Sequence, residues 1–313
     1  MLSLTFALCA LNLSALPVYQ TDLAAANDFL YRLISRGASA AAITWLDHTR
    51  VRLSASEDAR PLYLAFGQAA RQMSKQPLPV TEEDVRQADA LRRGFNPQHW
   101  TLLEATRAVL ILSLPHSSAE TYPQTLETLF TSADVNELEA LYASLPLLPH
   151  PESFRTRCAE GIRTNIRTVF DAIVLNNPYP ADYLDEDAWN QMVLKAVFTE
   201  RPLNRIHGFD GRRNARLARM LSDYAHERWA AGRVVTPELW RAVGPFLDAT
   251  LVEDIPRLYG QADYRQHEAA ALACSESALP AAKALLATRP DLQAGIQNGE
   301  LTWQTLAEKQ FAQ

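Results

Sequence analysis

The chain has 313 residues, of which 48% are apolar and 21% charged, and its formal net charge is −6. This composition is ordinary for a soluble globular protein and excludes a disordered chain, while the length suffices for one large core or an extended repeat array. The net negative charge argues against a nucleic-acid partner, because nucleic-acid-binding proteins usually carry a basic domain or stripe. Cys9, Cys158 and Cys274 are too few and too widely spaced for a disulfide framework or a thiolate metal site.

The first 17 residues are apolar, and no Lys or Arg precedes Arg32. An export signal begins with basic residues and a membrane span needs roughly 20 apolar residues, so the segment fits neither. We therefore predict a cytoplasmic protein whose residues 1–20 form an apolar N-terminal extension, either buried or mistakenly included. Residues 21–313 are predicted to form a single all-helical domain, with a candidate seam at the proline-containing loop near residues 76–80.

Apolar residues recur at steps of three and four along the chain, without sustained alternation at a period of two. This pattern predicts an all-α fold. Helix starts are indicated at Thr81 and Thr101, each followed three residues later by an acidic residue that can complete a capping box. No strict period repeats, and the alanine-rich segment 263–287 is typical of closely packed helices. The sequence predicts a degenerate multi-helix array, an α-α superhelix with HEAT-like helix pairs at its C-terminal end.

The segment 147–198 is the most distinctive part of the chain. An apolar stripe beginning after Pro151 predicts one continuous helix up to the sequence NNPYP at residues 176–180. The stripe consists of Phe154, Cys158, Ile162, Ile166, Val169 and Ile173. The prolines end this helix, because a residue before proline is disfavoured in the helical region. A second helix is expected to begin near Asp185.

Five segments carry a resemblance to a known family: FNPQHWT (95–101), LLPHPESFRTRCAEGIRTN (147–165), NNPYP (176–180), YLDEDAWNQMVLKAVF (183–198) and DYAHERWAAGR (223–233). In these segments the chain resembles the EboA domain family of bacterial proteins. The resemblance implies a shared fold and no defined chemistry, because a gene cluster more than a reaction defines the family. It implies as partners the other ebo-cluster proteins, which include a membrane prenyltransferase-like protein, a sugar-phosphate-cyclase-like protein and TIM-barrel or hydrolase-like proteins.

Polar residues within or beside the apolar stripes are the candidate ligand-binding residues. Amides and phenols recognise polar ligands by directional hydrogen bonds, and a lysine in an apolar helix can be desolvated. The predicted polar pocket is lined by His150, Asn165, Asn176, Tyr179, Asn190 and Lys195. The alternatives are structural: the histidine bonds a nearby carbonyl, the amides hold the turn together, and the lysine extends to water.

Signatures of catalysis are absent from the sequence. The seven histidines include no HExxH pair, G-x-S-x-G does not occur, and phosphate loops and dinucleotide fingerprints are missing. We therefore predict no metal and no cofactor. His226 is expected to be exposed beside Asp223.

Three functions remain open at this point. The leading hypothesis, which the resemblance implies, is a helical binding or scaffold protein that works with other ebo-cluster proteins in the synthesis or export of a secondary-metabolite precursor. The first alternative is an enzyme of an undescribed class that acts on a small polar substrate around His150, Asn165 and Lys195. The second is a peripheral membrane protein that uses its apolar N-terminus.

Overall fold

The regular structure of the chain is helical. The computed structural model describes residues 21–311, and within them the one β pairing outside the helices is an isolated bridge between Pro77 and Thr101. The predicted all-α multi-helix array is confirmed. The predicted N-terminal extension lies outside the described residues.

The N-terminal helices surround one helix of which all residues but one are buried. They are α1 (Leu23–Gly37), α2 (Ala40–Ser54), α3 (Arg60–Gln72), α4 (Glu82–Leu91) and α5 (Leu102–Leu112). Every residue of α5 except Glu104 is buried, beneath α1, α2 and α3. Thr81 and Thr101 form the predicted capping boxes at the starts of α4 and α5.

The middle of the chain contains α6 (Thr121–Ser132), α7 (Val135–Ser144), α8 (Arg155–Gly161), α9 (Arg167–Val174), α10 (Tyr179–Tyr183) and α11 (Glu186–Phe198). Asp185 caps α11 as predicted. Short 3-10 helices flank these elements and the later ones, at Leu145–Leu147, Pro151–Phe154, Leu203–Arg205, Asp210–Arg212, Pro237–Leu239, Gly244–Phe246 and Leu251–Glu253.

The prediction of one continuous helix before NNPYP is wrong. The chain leaves the helix after Gly161 and re-enters it at Arg167, and Ile166 is 40% exposed although it belongs to the predicted apolar stripe. The Lys195 ammonium donates to the carbonyl oxygens of Ile162, at 2.9 Å, and Thr164. The ammonium thus takes the place of the backbone amides that a continuing helix would offer to these carbonyls.

The C-terminal region contains α12 (Ala215–Ala230), α13 (Trp240–Val243), α14 (Asp254–Tyr259), α15 (Tyr264–Glu276), α16 (Pro280–Ala287), α17 (Pro290–Gln297) and α18 (Trp303–Phe311). The alanines of α15 are buried, and Gly244 packs so closely on this helix that an added Cβ would lie 2.8 Å from the Cα of Ala273. Small residues therefore allow close helix packing here. That these helices form HEAT-like pairs stays a prediction.

One hydrophobic core runs from Ala26 to Leu306. It includes Leu78, whose amide donates to the Trp100 carbonyl at 2.8 Å, so the loop near residues 76–80 is tied to the start of α5. The division of the chain into domains stays a prediction. Among the described residues, no helix has the length and apolar character needed to cross a membrane.

Candidate functional site

A cleft of about 260 Å³ lies beside α9 and the turn that follows this helix. We call it the polar cleft. Its walls come from the loop before α5, from α5, α7 and α9, from the turn after α9, and from the 3-10 helix Leu203–Arg205. Its polar lining residues are Asn96, His99, Glu104, Glu139, Thr168, Asp171, Asn176, Asn177 and Arg205.

Glu104 reaches the cleft from the first turn of α5. The capping box fixes it there, because its Oε2 accepts hydrogen bonds from the backbone amide of Thr101 at 2.6 Å and from the Thr101 hydroxyl at 2.8 Å. Burial raises the pKa of Glu104, and the hydrogen bonds from Thr101 oppose this shift. Glu104 therefore has two roles: it completes the capping box of α5, and it places a partly desolvated carboxyl group in the cleft.

Asp171 lines the cleft from α9. Its Oδ2 accepts from Arg201 Nη1 at 3.3 Å, whereas its Oδ1 is buried without a hydrogen-bond partner in the described part of the chain. Burial raises the pKa of Asp171, and the neighbouring arginines oppose this effect. A buried carboxylate oxygen without a donor is costly, so the fold leaves one acceptor of Asp171 unsatisfied at the wall of the cleft.

Arg205 is the cation of the cleft, and within the described residues no carboxylate lies within ion-pairing distance of its guanidinium. In the amide orientation that satisfies both groups, the Asn176 side-chain oxygen accepts from Arg205 Nη2 at 2.7 Å. Burial lowers the pKa of Arg205. His99 lies in the same cleft, where burial and the nearby Arg205 charge lower its pKa. This part of the cleft is therefore suited to an anionic group.

The backbone around Arg205 is held from both sides. The Asn176 amide, at a φ of 54°, donates to the Arg205 carbonyl at 2.8 Å. The buried Glu238 carboxylate accepts from the amides of Leu203 at 3.0 Å and Asn204 at 3.1 Å, at the start of the same 3-10 helix. Arg205 is thus presented on a fixed backbone although it lies in a short element.

The six residues predicted to share a pocket are dispersed. Asn176 lines the polar cleft, whereas Asn165 and Lys195 line a separate cavity of about 250 Å³ beside the helix interruption. Asn165 is exposed there and needs no buried partner, contrary to the expectation from the apolar stripe. His150 lines a third cavity of about 520 Å³, and its Nε2 bonds the His116 carbonyl at 2.8 Å.

Tyr179 and Asn190 line neither the polar cleft nor the cavity beside the helix interruption. The Tyr179 hydroxyl donates to the Pro151 carbonyl at 2.6 Å, and the Asn190 amide pairs reciprocally with that of Asn214 at 2.9 and 3.2 Å. Both side chains are buried and bonded to the protein. Their arrangement matches the structural alternative, and a ligand-binding role for them stays a prediction.

Five of the nine polar lining residues of the cleft were treated as structural or passed over in the sequence. They are His99, Glu104, Glu139, Asp171 and Arg205. The sequence did contain a signal for the cleft, namely the segments that resemble the EboA family. The segment FNPQHWT contributes His99 to the cleft, and the segment NNPYP contributes Asn176. Two of the segments that carry the family resemblance thus meet in space. His226 is exposed, as predicted, and its Nε2 bonds Asp254 of α14 at 2.5 Å.

The comparison with protein families decides the classification of the chain. The family model described as "Metabolite traffic protein EboA" matches residues 26–244, which is more than two thirds of the chain. The chain belongs to the EboA family. All lining residues of the polar cleft lie within the matched range. Neither a curated protein nor a solved structure matches the chain. In residues 21–311 no group of three or more His, Cys, Asp or Glu side chains is placed to hold a metal ion.

Proposed function

We propose that the protein binds a small polar metabolite in the polar cleft and passes it to other proteins of its gene cluster during the synthesis or export of a secondary-metabolite precursor. The description of the family as metabolite traffic proteins supports the general role. The observation that carries the proposal is the half-buried Arg205 guanidinium, which has no carboxylate within ion-pairing distance among residues 21–311 although the charge of Asp171 acts on it. Asp171, whose Oδ1 has no hydrogen-bond partner among the same residues, lines the same cleft.

The charged and polar groups of the cleft define the chemistry of the ligand that we propose. Arg205 and His99 favour an acidic group, since a guanidinium binds a carboxylate or phosphate through paired hydrogen bonds. Asp171, Glu104 and Glu139 favour hydroxyl or amino donors on the same molecule, because ionised carboxylates act as acceptors. The cleft volume of about 260 Å³ corresponds to a small metabolite and not to a polymer.

Native mass spectrometry of protein purified from its own host tests this proposal. We expect wild-type protein to carry an extra mass that is lost on denaturation, and we expect Arg205→Gln to have lost that mass. The matched control is Arg233→Gln, because Arg233 is exposed and lies outside the cleft. Equal retention by wild-type, Arg205→Gln and Arg233→Gln proteins would reject the cleft as the binding site.

A second candidate function is catalysis in the same cleft. It is favoured by Glu104, whose raised pKa is a property of general acids, together with the desolvated His99. Glu104→Gln distinguishes the two functions while keeping a residue type that capping boxes accept. An enzyme would accumulate its substrate in this variant, so the bound mass would differ from that in wild type. A carrier would show the same mass in both proteins.

A further inference from the structure

We propose that the cavity beside the helix interruption is a second ligand site, which binds a small molecule that joins an anionic group to a flat apolar group. The cavity has a volume of about 250 Å³ and lies between the 162–166 interruption and the C-terminal end of α11. It is separate from the polar cleft, with which it shares no lining residue. The inference is therefore independent of the function proposed above.

The charge of the cavity is the first argument. Arg167, Lys195 and Arg201 line it, and none of its lining residues is acidic. Arg201 bonds Asp171 from its other side at 3.3 Å, and Arg167 approaches the same carboxylate only to 3.9 Å. Two of the three cations thus share one carboxylate that does not line the cavity, and Lys195 bonds backbone carbonyls instead, so an anion within the cavity would be attracted by the excess positive charge.

Free hydrogen-bond donors are the second argument. An ammonium has three N–H groups, and Lys195 uses two of them on the Ile162 and Thr164 carbonyls. One donor therefore remains on an ammonium that is already fixed in position. The Arg167 guanidinium makes no side-chain hydrogen bond within residues 21–311, so its donors are available to a phosphate or carboxylate.

Aromatic surface is the third argument. Phe170 is buried below Lys195, whose Nζ lies 4.9 Å from the ring centroid, and Phe198 is 64% exposed at the other side of the cavity. Two phenylalanine rings thus line the same cavity as the three cations, and such a combination can hold the flat apolar part of a ligand while the cations bind its anionic part.

Isothermal titration calorimetry of the full chain with phenyl phosphate, inorganic phosphate and phenol tests the inference. We expect phenyl phosphate to bind more tightly than either fragment. Arg167→Gln should weaken this binding about tenfold, because it removes a charge-assisted contact. Phe198→Ala should remove most of the preference for phenyl phosphate over inorganic phosphate. Both side chains are exposed, so their replacement should leave folding intact.

Arg163→Gln is the matched control, because Arg163 is exposed in the same interruption but does not line the cavity. Its affinity for phenyl phosphate should stay within about twofold of wild type. The absence of saturable binding would overturn the inference, as would equal losses in Arg163→Gln and Arg167→Gln. Loss of binding in Arg205→Gln with retention in Arg167→Gln would place the anion in the polar cleft, which rejects this second site and leaves the proposed function standing.

Discussion

Asn176 and Asn177 are neighbours in the sequence, yet the structure uses them differently. The Asn177 side chain donates to the carbonyls of Tyr142 and Ala172 and accepts from the amide of Tyr179, each at 3.0 Å, and it is 4% exposed. Asn176 has a left-handed backbone and turns its amide to Arg205 in the polar cleft. One asparagine is fully used within the protein, whereas the other orients a group that has bonding capacity left.

Although Asn177 also borders the cleft, the same difference distinguishes the polar groups buried in the turn from most of those that line the cleft. Around the turn, buried polar groups such as the Tyr179 hydroxyl are bonded to backbone carbonyls. In the cleft, Asp171 Oδ1 has no hydrogen-bond partner among residues 21–311, and burial raises the pKa of Glu104 and lowers the pKa of Arg205, which favours the neutral form of each group. Satisfied polar groups stabilise the fold, and unsatisfied ones mark where a ligand can bind.

The largest expected effect is that of Asn177→Ala. The substitution removes three hydrogen bonds, those to two backbone carbonyls and that from the amide of Tyr179, although the Tyr142 carbonyl keeps the Leu145 amide as a donor. The free energy of unfolding should therefore fall by about 3 kcal/mol. Chemical denaturation measures the change, and Asn165→Ala, at an exposed position, should alter stability by less than about 0.5 kcal/mol. Equal effects of the two substitutions would show that the turn does not depend on its bonded amide.

Gly161→Ala should have the next largest effect. An added Cβ would lie 2.6 Å from the ring of Tyr142 and 2.8 Å from the side chain of Ile173, so overpacking should cost about 2 kcal/mol. Gly211→Ala is the matched control, since nothing lies within 4 Å of a Cβ added there. If Gly161→Ala were as stable as the control, this result would contradict the close packing of Tyr142 and Ile173 against the end of α8.

Tyr179→Phe removes one hydroxyl from the turn. The loss of its hydrogen bond to the Pro151 carbonyl should lower the free energy of unfolding by about 1 kcal/mol, without changing ligand retention. Tyr183 stacks on Tyr179 at a centroid distance of 4.6 Å, and Tyr183→Phe serves as the control because no hydrogen bond holds its hydroxyl among the described residues. Loss of the ligand at unchanged stability would instead support the role that the sequence predicted for Tyr179.

The smallest effect, and the one with a pH signature, is expected for Glu104→Gln. Burial raises the folded-state pKa of Glu104 above its unfolded value of about 4.3, so the folded protein binds this proton more tightly than the unfolded chain. The resulting stabilisation is complete below the unfolded pKa and is lost as pH rises through the folded pKa. Denaturation at several pH values should therefore show wild type gaining stability over Glu104→Gln as the pH falls from neutral to about 4. A difference that is constant or shrinks toward acid would contradict the desolvated carboxyl.

The sequence predicted the helical class and several helix starts because caps and apolar periodicity are local. Thr101 with Glu104, and Asp185, mark their helices as expected. It did not predict the interruption at residues 162–166, because the Lys195 ammonium that replaces the missing backbone donors comes from another helix. The periodicity of apolar residues is a local pattern, so it cannot predict that a side chain from a distant part of the sequence replaces backbone donors.

The cleft was harder to predict than the fold for the same reason. Glu104 has the local role of a capping residue, and only the packing of α5 beside α7 and α9 makes it a cleft residue. Arg205 lies in a three-residue helix whose position depends on Glu238, more than 30 residues away. Asn176 was among the residues predicted for a pocket, because its amide lies at the edge of an apolar stripe; it lines the cleft, and that it binds a ligand stays a prediction.

Replacement of Asn176 by glycine tests the central claim most directly. Glycine tolerates the φ of 54° at this position, so the variant keeps the backbone and removes only the amide that orients Arg205. Native mass spectrometry of host-purified protein would compare the bound mass in Asn176→Gly and wild type, with the stability of each measured in parallel. We expect stability to change by less than about 1 kcal/mol and the bound metabolite to be lost. Retention of the metabolite at the wild-type level would contradict a binding site in the polar cleft.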